Sequence, residues 1–344
     1  MLQLSCPSTK RIRIVDRHAE MFFDRLPHND YQPLMPKHLL FRLPVLALAM
    51  AGFVSSGAET FRVATYNVEN YLDQPTESRP RVKSPEARAK VCESIRAMNP
   101  DVLALEEMGS TNALFELRAS LKADGLDYPD WELVNGLDTN IHVAVLSRLP
   151  IVARHPHTND VYLLDGRCFR VSRGFAEVDI RASTNFTFTL IAAHLKSRRP
   201  VPEADEAEQR LEESKILRGI IDKHFTNNPN VKLIVLGDFN DVKDSDAVKT
   251  IIGRGRFKLT DTRPAERNRD NSTNEDSRFE PRNVTWTEYY GKEDTYSRVD
   301  YILLSLAMAH DWVTNETYAL TIPNWGVGSD HRPIVAEFET ENGR

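Results

Sequence analysis

From Phe61 onward the sequence predicts an α/β or α+β domain, and two observations carry that expectation. Short apolar runs of strand length alternate with longer stretches whose apolar residues recur at helical spacing. The chain has 344 residues, 41% of them hydrophobic, which is enough to fill a substantial core. No internal repeat is visible.

In order, "FRVATYNV" reads as a strand and Pro85 to Met98 as a helix with Val91, Ile95 and Met98 on one side. "DVLALEE" is a second strand, followed by a helix around Ala113 to Lys122. The segments "HVAVLSR", "PIVARH", "GFAEVDIRA" and "FTFTLIAAHL" read as further strands. A long charged helix fits Glu203 to Phe225, with Leu211, Ile216, Leu217, Ile220 and Ile221 forming its apolar stripe. Then come "VKLIVLGDFND", "RVDYILLS" and "PIVAEF" as strands. Between Thr262 and Val284 there is almost no apolar residue, and the stretch is expected to be an exposed loop within the domain.

Ahead of the domain, Lys37 and Arg42 precede an apolar run from Leu43 to Val54, and small residues follow up to Ala58. A basic start, a short apolar run and a small-residue site are the plan of a secretory signal peptide. The run is short for a membrane span, although an uncleaved anchor is the alternative. The expected organisation is therefore residues 1–34 outside the true precursor, 35–58 as signal peptide and 59–344 as the domain. A protein so built works outside the cytoplasm, in the periplasm or beyond the cell.

The formal net charge of -6 argues against a dedicated high-affinity nucleic-acid binder, which needs a basic face. It leaves phosphate-ester hydrolysis open, because a metal can supply positive charge. Cys6, Cys92 and Cys168 have neither a metal-ligand spacing nor a dense disulfide framework; at most one bridge, Cys92 to Cys168, is open to them, and two unpaired, mostly buried thiols are the expectation.

Several strands finish in residues able to bind a metal or a phosphate. "TYNVEN" offers Asn67 and Glu69, "LALEEM" offers Glu106 and Glu107, and "IAAHLKS" offers His194. "VLGDFND" offers Asp238, Asn240 and Asp241, "SRVDYILL" offers Asp300, and "GSDHRP" offers Asp330 and His331. Each alone has a bland reading, since Asp and Asn commonly close strands by local turns. Strand alternation also sends Glu106 and Glu107 to opposite faces, so one of them joins a given site.

Taken in order, "YNVEN", "LALEE", "AAHLKS", "LGDFND", "RVDYILLS" and "GSDHRPIVAEF" resemble the endonuclease/exonuclease/phosphatase superfamily over about Phe61 to Phe338. The resemblance implies a DNase I-like four-layer sandwich, two mainly antiparallel sheets flanked by helices, and a divalent metal. Mg²⁺ is the expected ion, with Mn²⁺ or Ca²⁺ as substitutes. Carried onto this chain, it places Asn67, Glu69, Glu107 and Asp330 at the metal and His194, Asp238, Asn240, Asp300 and His331 in catalysis. Glu107, rather than Glu106, matches the metal-binding acid.

The chemistry agrees with those roles. A phosphodiester is anionic, so attack on it needs charge neutralisation and a polarised phosphoryl oxygen. Mg²⁺ takes hard oxygen ligands and keeps waters. Asp238 and His331 are candidates for taking the proton of the attacking water, with Asp300 orienting the imidazole. Asn240 and His194 are expected to donate to non-bridging oxygens.

Arg148, Arg173, Lys196 and Arg198 are expected substrate contacts, and Arg199 continues the same basic run. Trp286 and Trp325 flank motif-bearing strands and are expected to pack; His155 and His157 read as structural. The leading functional expectation is an exported, monomeric Mg²⁺-dependent nuclease without a stable protein partner. A sphingomyelinase-like phospholipid phosphodiesterase or phosphatase is the alternative, although no aromatic hairpin for membrane docking is evident. A catalytically silent binding protein on this fold is the third reading.

Overall fold

The alternation of short strands and helices becomes two facing sheets in the computed structural model, which describes residues 59–267 and 284–340. The expected leader and signal peptide, Cys6 and the middle of the polar stretch lie outside the described residues.

Strand β1 (Thr60–Tyr71) leads through helix α1 (Pro85–Met98) to β2 (Val102–Met108) and α2 (Thr111–Ala123). There follow β3 (Asp130–Val134), β4 (His142–Ser147), β5 (Ile151–Arg154), β6 (Val161–Leu164), β7 (Arg167–Arg170), β8 (Phe175–Ser183) and β9 (Phe186–His194). Helix α3 (Glu206–Asn227) connects to β10 (Leu233–Asp238), and α4 (Asp246–Ile252) to β11 (Thr260–Asp261) and β12 (Ala265–Glu266). The chain ends with β13 (Glu288–Tyr290), β14 (Thr295–Ser297), β15 (Asp300–Leu304), α5 (Leu306–Ala309), β16 (Trp312–Ala319) and β17 (Ile334–Glu339).

One sheet runs β12-β16-β17-β1-β2-β4-β3 and the other β11-β15-β10-β9-β8-β5. Most neighbours are antiparallel, but the pairs β1–β2 and β9–β10 at the heart of the two sheets are parallel. A parallel pair needs a crossover, and α1 and α3 supply it. Both C-terminal ends of each parallel pair therefore lie at one edge, where Asn67, Glu106, His194 and Asp238 sit in register.

Alternation along the strands then builds four layers. Phe61, Val63, Val102 and Ala104 from the first sheet meet Val178, Leu190, Leu236 and Ile302 from the second in one buried cluster. On the outer face of the first sheet, Leu103 and Leu105 pack under Val91, Ile95, Leu114 and Leu117 of α1 and α2. On the outer face of the second, Ile191 and Val235 pack under Leu217, Ile221 and Val248 of α3 and α4. The four-layer sandwich expected from the sequence is what forms.

The helix ends are where the sequence marks them. Ser84 accepts a hydrogen bond from Ala87 N, Pro85 occupies the first turn, and Asn99 closes α1 in the left-handed conformation. Helix α3 starts at Glu206 after the Asp205 cap, three residues later than expected, and buries Glu213 and Ser214 besides Leu217, Ile220 and Ile221. Leu211 and Ile216 of the expected stripe are only half-buried.

The polar stretch after Thr262 departs from the expectation of a loop. Thr262 is buried, and Ala265–Glu266 pair with β16, held there because Arg332 grips the Glu266 carboxylate with both guanidinium nitrogens. Cys92 and Cys168 are free thiols, the first buried and the second exposed. No described helix is long and apolar enough to cross a membrane.

Candidate active site

The residues singled out at strand ends converge because both sheets present their C-terminal parallel edges to the same side. At the centre stands Asp238 Oδ2. It accepts from Asn67 Nδ2 at 3.0 Å and from Asn240 Nδ2 at 3.3 Å, and lies 3.4 Å from His194 Nε2 and 3.9 Å from His331 Nε2. Asp238 Oδ1 accepts from Asn240 N at 2.8 Å. His331 Nδ1 donates to Asp300 Oδ2 at 2.9 Å, which turns its Nε2 toward Asp238 and toward Asp330, 4.0 Å away.

The frame beneath is made of hydroxyls. Thr287 Oγ1 accepts from the backbone N–H groups of Val299 and Asp300. Ser329 Oγ donates to Asn67 O and accepts from His331 N, tying the last motif to the first strand. Neither residue stands out in the sequence, since Ser and Thr that brace backbone look like any others.

Four site residues adopt left-handed backbone: Glu69 (φ 45°), Asn70 (φ 55°), Glu107 (φ 60°) and Asn240 (φ 54°). Strained backbone of this kind gathers at functional sites. The registers β1–β2 and β2–β4 shift at the same place, after Asn67 and Leu105. The bulge re-aims Glu107 to the open edge, where its Oε2 accepts from Asn70 N. Glu106 points between the sheets, fully buried, and accepts from Thr65 Oγ1.

The charges are unusual. Burial lowers His331, but Asp300 and Asp238 raise it more strongly, and the imidazole ends well above its ordinary range. Burial pushes the Asp238 carboxyl up against the pull of His331. His194 falls well below its ordinary value through burial and the nearby Arg173, so it is a neutral imidazole, with Nδ1 buried and unpartnered. Burial first, and then the Asp300 and Asp238 charges, raise Glu106 well above the ordinary carboxyl range. Shifts of this size, gathered around one cleft, mark chemistry rather than packing.

Glu69, Glu107 and Asp330 lie near enough for their charges to act on Lys83 together, and they would hold a divalent metal at this edge. Burial and then the Asp330 charge raise Glu69, and burial, with Glu107 adding to it, raises Asp330. Asp330 thus acts on Glu69 and Glu107 acts on Asp330, eased on the protein side by Lys83, 3.6 Å from Glu69, and by His331. The tips of Glu69 and Asp330 remain open to solvent, as suits a hard cation that keeps several waters. Asp238, Asp300 and His331 also bring donor atoms within 4.8 Å of one another. That trio is already committed internally, since Asp300 holds His331 Nδ1, so the open oxygen set is the better cation site.

Some sequence expectations change. Asn67 spends its Nδ2 on Asp238, and its Oδ1 already accepts from Glu69 N. Asn240 likewise spends its amide on Leu195 O and Asp238, so it positions the acid rather than a phosphate oxygen. Arg148 is outside the site. It pairs with Asp101 at 3.0 Å, at the N-terminal end of β2 and so at the far edge of the sheet.

Arg173 does reach the site, buried beside His194 and donating to Leu195 O. Lys196 turns its ammonium back onto Ser197 O and Arg199 O, and Arg198 is held by Glu288. The aromatic residues pack together, Trp286 to Trp325 at 5.4 Å and Trp286 to Tyr296 at 4.7 Å. They support a hairpin, β13–β14, that leaves Tyr290 and Tyr296 exposed beside the site, a feature the sequence does not advertise. His155 and His157 have partners, Asp179 for the first and Asp160 and Glu177 for the second, which makes them structural.

A model of the Endonuclease/Exonuclease/phosphatase family matches residues 64–331, well over half of the chain. The chain belongs to the endonuclease/exonuclease/phosphatase family. It is an enzyme that hydrolyses phosphate esters, and the family's enzymes typically depend on a divalent metal. Among solved structures, the human Nocturnin catalytic domain is similar at TM-score 0.57 and 17% identity, covering 81% of this chain and 94% of that one. Sphingomyelinase C from Streptomyces griseocarneus is similar at TM-score 0.54 and 20% identity, over 82% and 100%. Truncated TDP2 from Caenorhabditis elegans is similar at TM-score 0.51 and 15% identity, over 82% and 98%. At these identities the likeness is one of fold. No curated protein matches the chain.

Proposed function

We propose that the protein is a Mg²⁺-dependent nuclease that cleaves phosphodiesters of DNA or RNA by in-line attack of water. The observation that supports it most is the junction of two sets of groups at one edge: the oxygen set Glu69, Glu107 and Asp330, and the proton-handling set Asp238, His331 and Asp300. A bound divalent cation would neutralise charge and polarise a phosphoryl oxygen.

The rest falls to the protein's own groups. Asp300 fixes the His331 ring and balances its charge, so Nε2 faces the open edge with Asp238 beside it. Asp238 and His331 share their titration, and the pair takes the proton of the incoming water. Asn67 and Asn240 hold Asp238 in place for that transfer. His194, neutral and buried with Nε2 3.4 Å from Asp238 Oδ2, is the group left to donate to a phosphate oxygen.

The exposed Tyr290 and Tyr296 of the β13–β14 hairpin favour a second reading, a phospholipid phosphodiesterase that meets a membrane surface with that hairpin. Export, read from Lys37 to Ala58, accompanies both readings; a secreted product beginning near Glu59 on N-terminal sequencing is its test.

Cleavage of supercoiled plasmid, single-stranded DNA and RNA is the deciding assay, run with Mg²⁺ or EDTA beside His331→Ala. Metal-dependent cutting lost in the variant is the expected outcome. A folded protein that leaves all three intact but hydrolyses sphingomyelin in vesicles would replace the nuclease reading with the second.

A further inference from the structure

Beside the metal edge opens a cavity of about 610 Å³ whose charge does not follow that of the chain. Glu69 and Glu107 form one wall. The others carry Arg79, Arg81, Lys83, Arg173 and Arg199, five cations in a protein of formal net charge -6. The two acids are the same carboxylates that face the metal edge, so the cavity beyond them is strongly basic.

The cations divide by what holds them. Lys83 donates to Gly328 O at 2.7 Å and faces Glu69. Arg79 is braced by Asp138 at 2.9 Å. Arg173 is buried, bound to Leu195 O, with an Nε that has no partner. Arg81 and Arg199 are exposed, and among the described residues neither enters an ion pair. Two guanidinium groups without an ion pair among the described residues thus line a cavity whose remaining cations are fixed in place. Guanidinium is the side chain best matched to phosphate, which it meets with two parallel donors.

We infer that this cavity is a subsite for a second phosphate of the substrate, the phosphodiester that flanks the scissile one along a nucleic-acid strand, held chiefly by Arg81 and Arg199. The inference rests on the nuclease reading and sharpens it. A cavity with this charge repels a cationic head group, so it opposes the phospholipid alternative where that head group is a quaternary ammonium. It also resolves the conflict between an acidic protein and a polyanionic substrate: the chain needs no basic face if the contact is concentrated at one cavity. Tyr290 at the rim gives the flanking base a ring to lie against.

The test uses the full chain with Mg²⁺ and the double variant Arg81→Ala/Arg199→Ala, whose fold is checked by circular dichroism. Substrates are bis(p-nitrophenyl) phosphate, a thymidine dinucleotide with one phosphodiester, a trinucleotide with two, and the dinucleotide carrying a 5′-phosphate. The wild type is expected to favour the trinucleotide over the dinucleotide through KM. The variant is expected to lose that preference, its loss on the trinucleotide exceeding that on bis(p-nitrophenyl) phosphate by about tenfold. Its dependence of log affinity on log salt should be shallower by about 0.7, the change for one phosphate contact on a single strand.

An equal loss on all substrates, or a trinucleotide preference that survives in the variant, overturns the subsite while leaving the nuclease reading intact. A preference that appears only with the 5′-phosphate reassigns the cavity to a terminal phosphate and overturns the flanking-phosphodiester assignment. Fluorescence anisotropy with a labelled thymidine oligonucleotide, in a His331→Ala background, separates the remaining case. Binding that depends on Arg81 and Arg199 in a protein that cuts nucleic acid upholds the subsite, binding indifferent to them refutes it, and a wild-type protein that cuts no nucleic acid overturns the nuclease reading and the flanking assignment with it.

Discussion

Asp300 Oδ2 accepts from His331 Nδ1 at 2.9 Å with both side chains almost fully buried, and this bond decides which face of the imidazole meets the substrate. Asp300 also keeps the ring charged, because its carboxylate and that of Asp238 outweigh the cost of burial. Replacing the acid by an amide keeps the shape but removes the charge that favours the imidazolium and fixes its ring. Asp300→Asn is therefore expected to lower kcat by about 10³- to 10⁴-fold with a small change in KM, the scale seen when the orienting acid of a catalytic triad is neutralised. Steady-state kinetics on a phosphodiester settles it, and a fall in kcat under tenfold would mean that His331 is oriented by something else.

Glu107 is the next test, because its left-handed backbone exists to aim one carboxylate at the open edge. Glu107→Gln keeps the hydrogen bond from Asn70 N within reach and removes the charge. Mg²⁺ affinity by isothermal titration should fall on the order of tenfold to a hundredfold, the range that even the partners of metal ligands command. EDTA should abolish activity of the wild type. Unchanged Mg²⁺ affinity in the variant would move the metal to the Asp238, Asp300 and His331 group.

How much of this was legible depends on what each residue must do. Polar residues that close apolar strands stand out, so Asp238, Asp300, Asp330 and His331 are visible at once. Asn67 and Asn240 were visible too, but their use was not, since a hydrogen bond to Asp238 depends on two sheets facing one another. Alternation correctly separates Glu106 from Glu107, yet the bulge that gives Glu107 its aim follows from a register shift that no period of two contains. Arg148 failed because a strand has two ends and only one carries the site.

Elements were missed for similar reasons. Strand β16 reads "WVTNETYA", too polar for an apolar run, and it joins the sheet between β12 and β17 with Ala319 buried between the sheets and Tyr318 on the outer face. The β13–β14 hairpin surrounds a charged turn, so its tyrosines look scattered until Tyr289 and Tyr296 pair across it.

Away from the site, Glu177 sits between His157 and His224 at 2.8 and 3.0 Å. Burial raises this carboxyl, but the hydrogen bonds and charges of the two histidines prevail and bring it down to about 2. The bond to Glu177 in turn raises His224 above its ordinary value. A depressed acid stabilises the fold above its unfolded pKa of about 4.5 and loses that stability as pH falls toward 2; a raised histidine stabilises below about 6.5 and loses it as pH rises. The two windows overlap between these values. Glu177→Gln should cost about 2 kcal/mol near pH 5.5, with a smaller cost at pH 3 and at pH 8.5. Thermal melts across that range check it, and a constant difference at all pH values would show that the cluster acts by packing alone.

Gly237 is the residue whose loss should damage fold and site together. Its φ of 129° is closed to side chains, and a Cβ built there would lie 2.0 Å from Ala193 O on the neighbouring strand β9. That neighbour is backbone in a parallel pair, so it cannot swing aside as a side chain would. The close approach is what brings Asp238 into register with His194, one residue beyond it. Gly237→Ala is therefore expected to cost about 3 kcal/mol or more, from strain and from the parting of β9 and β10. Urea denaturation measures the first. If the variant folds, its kcat should still fall, because any shift that relieves the clash moves Asp238 away from His331; a stable variant with full activity would show that the β9–β10 contact does not set the geometry of the catalytic pair.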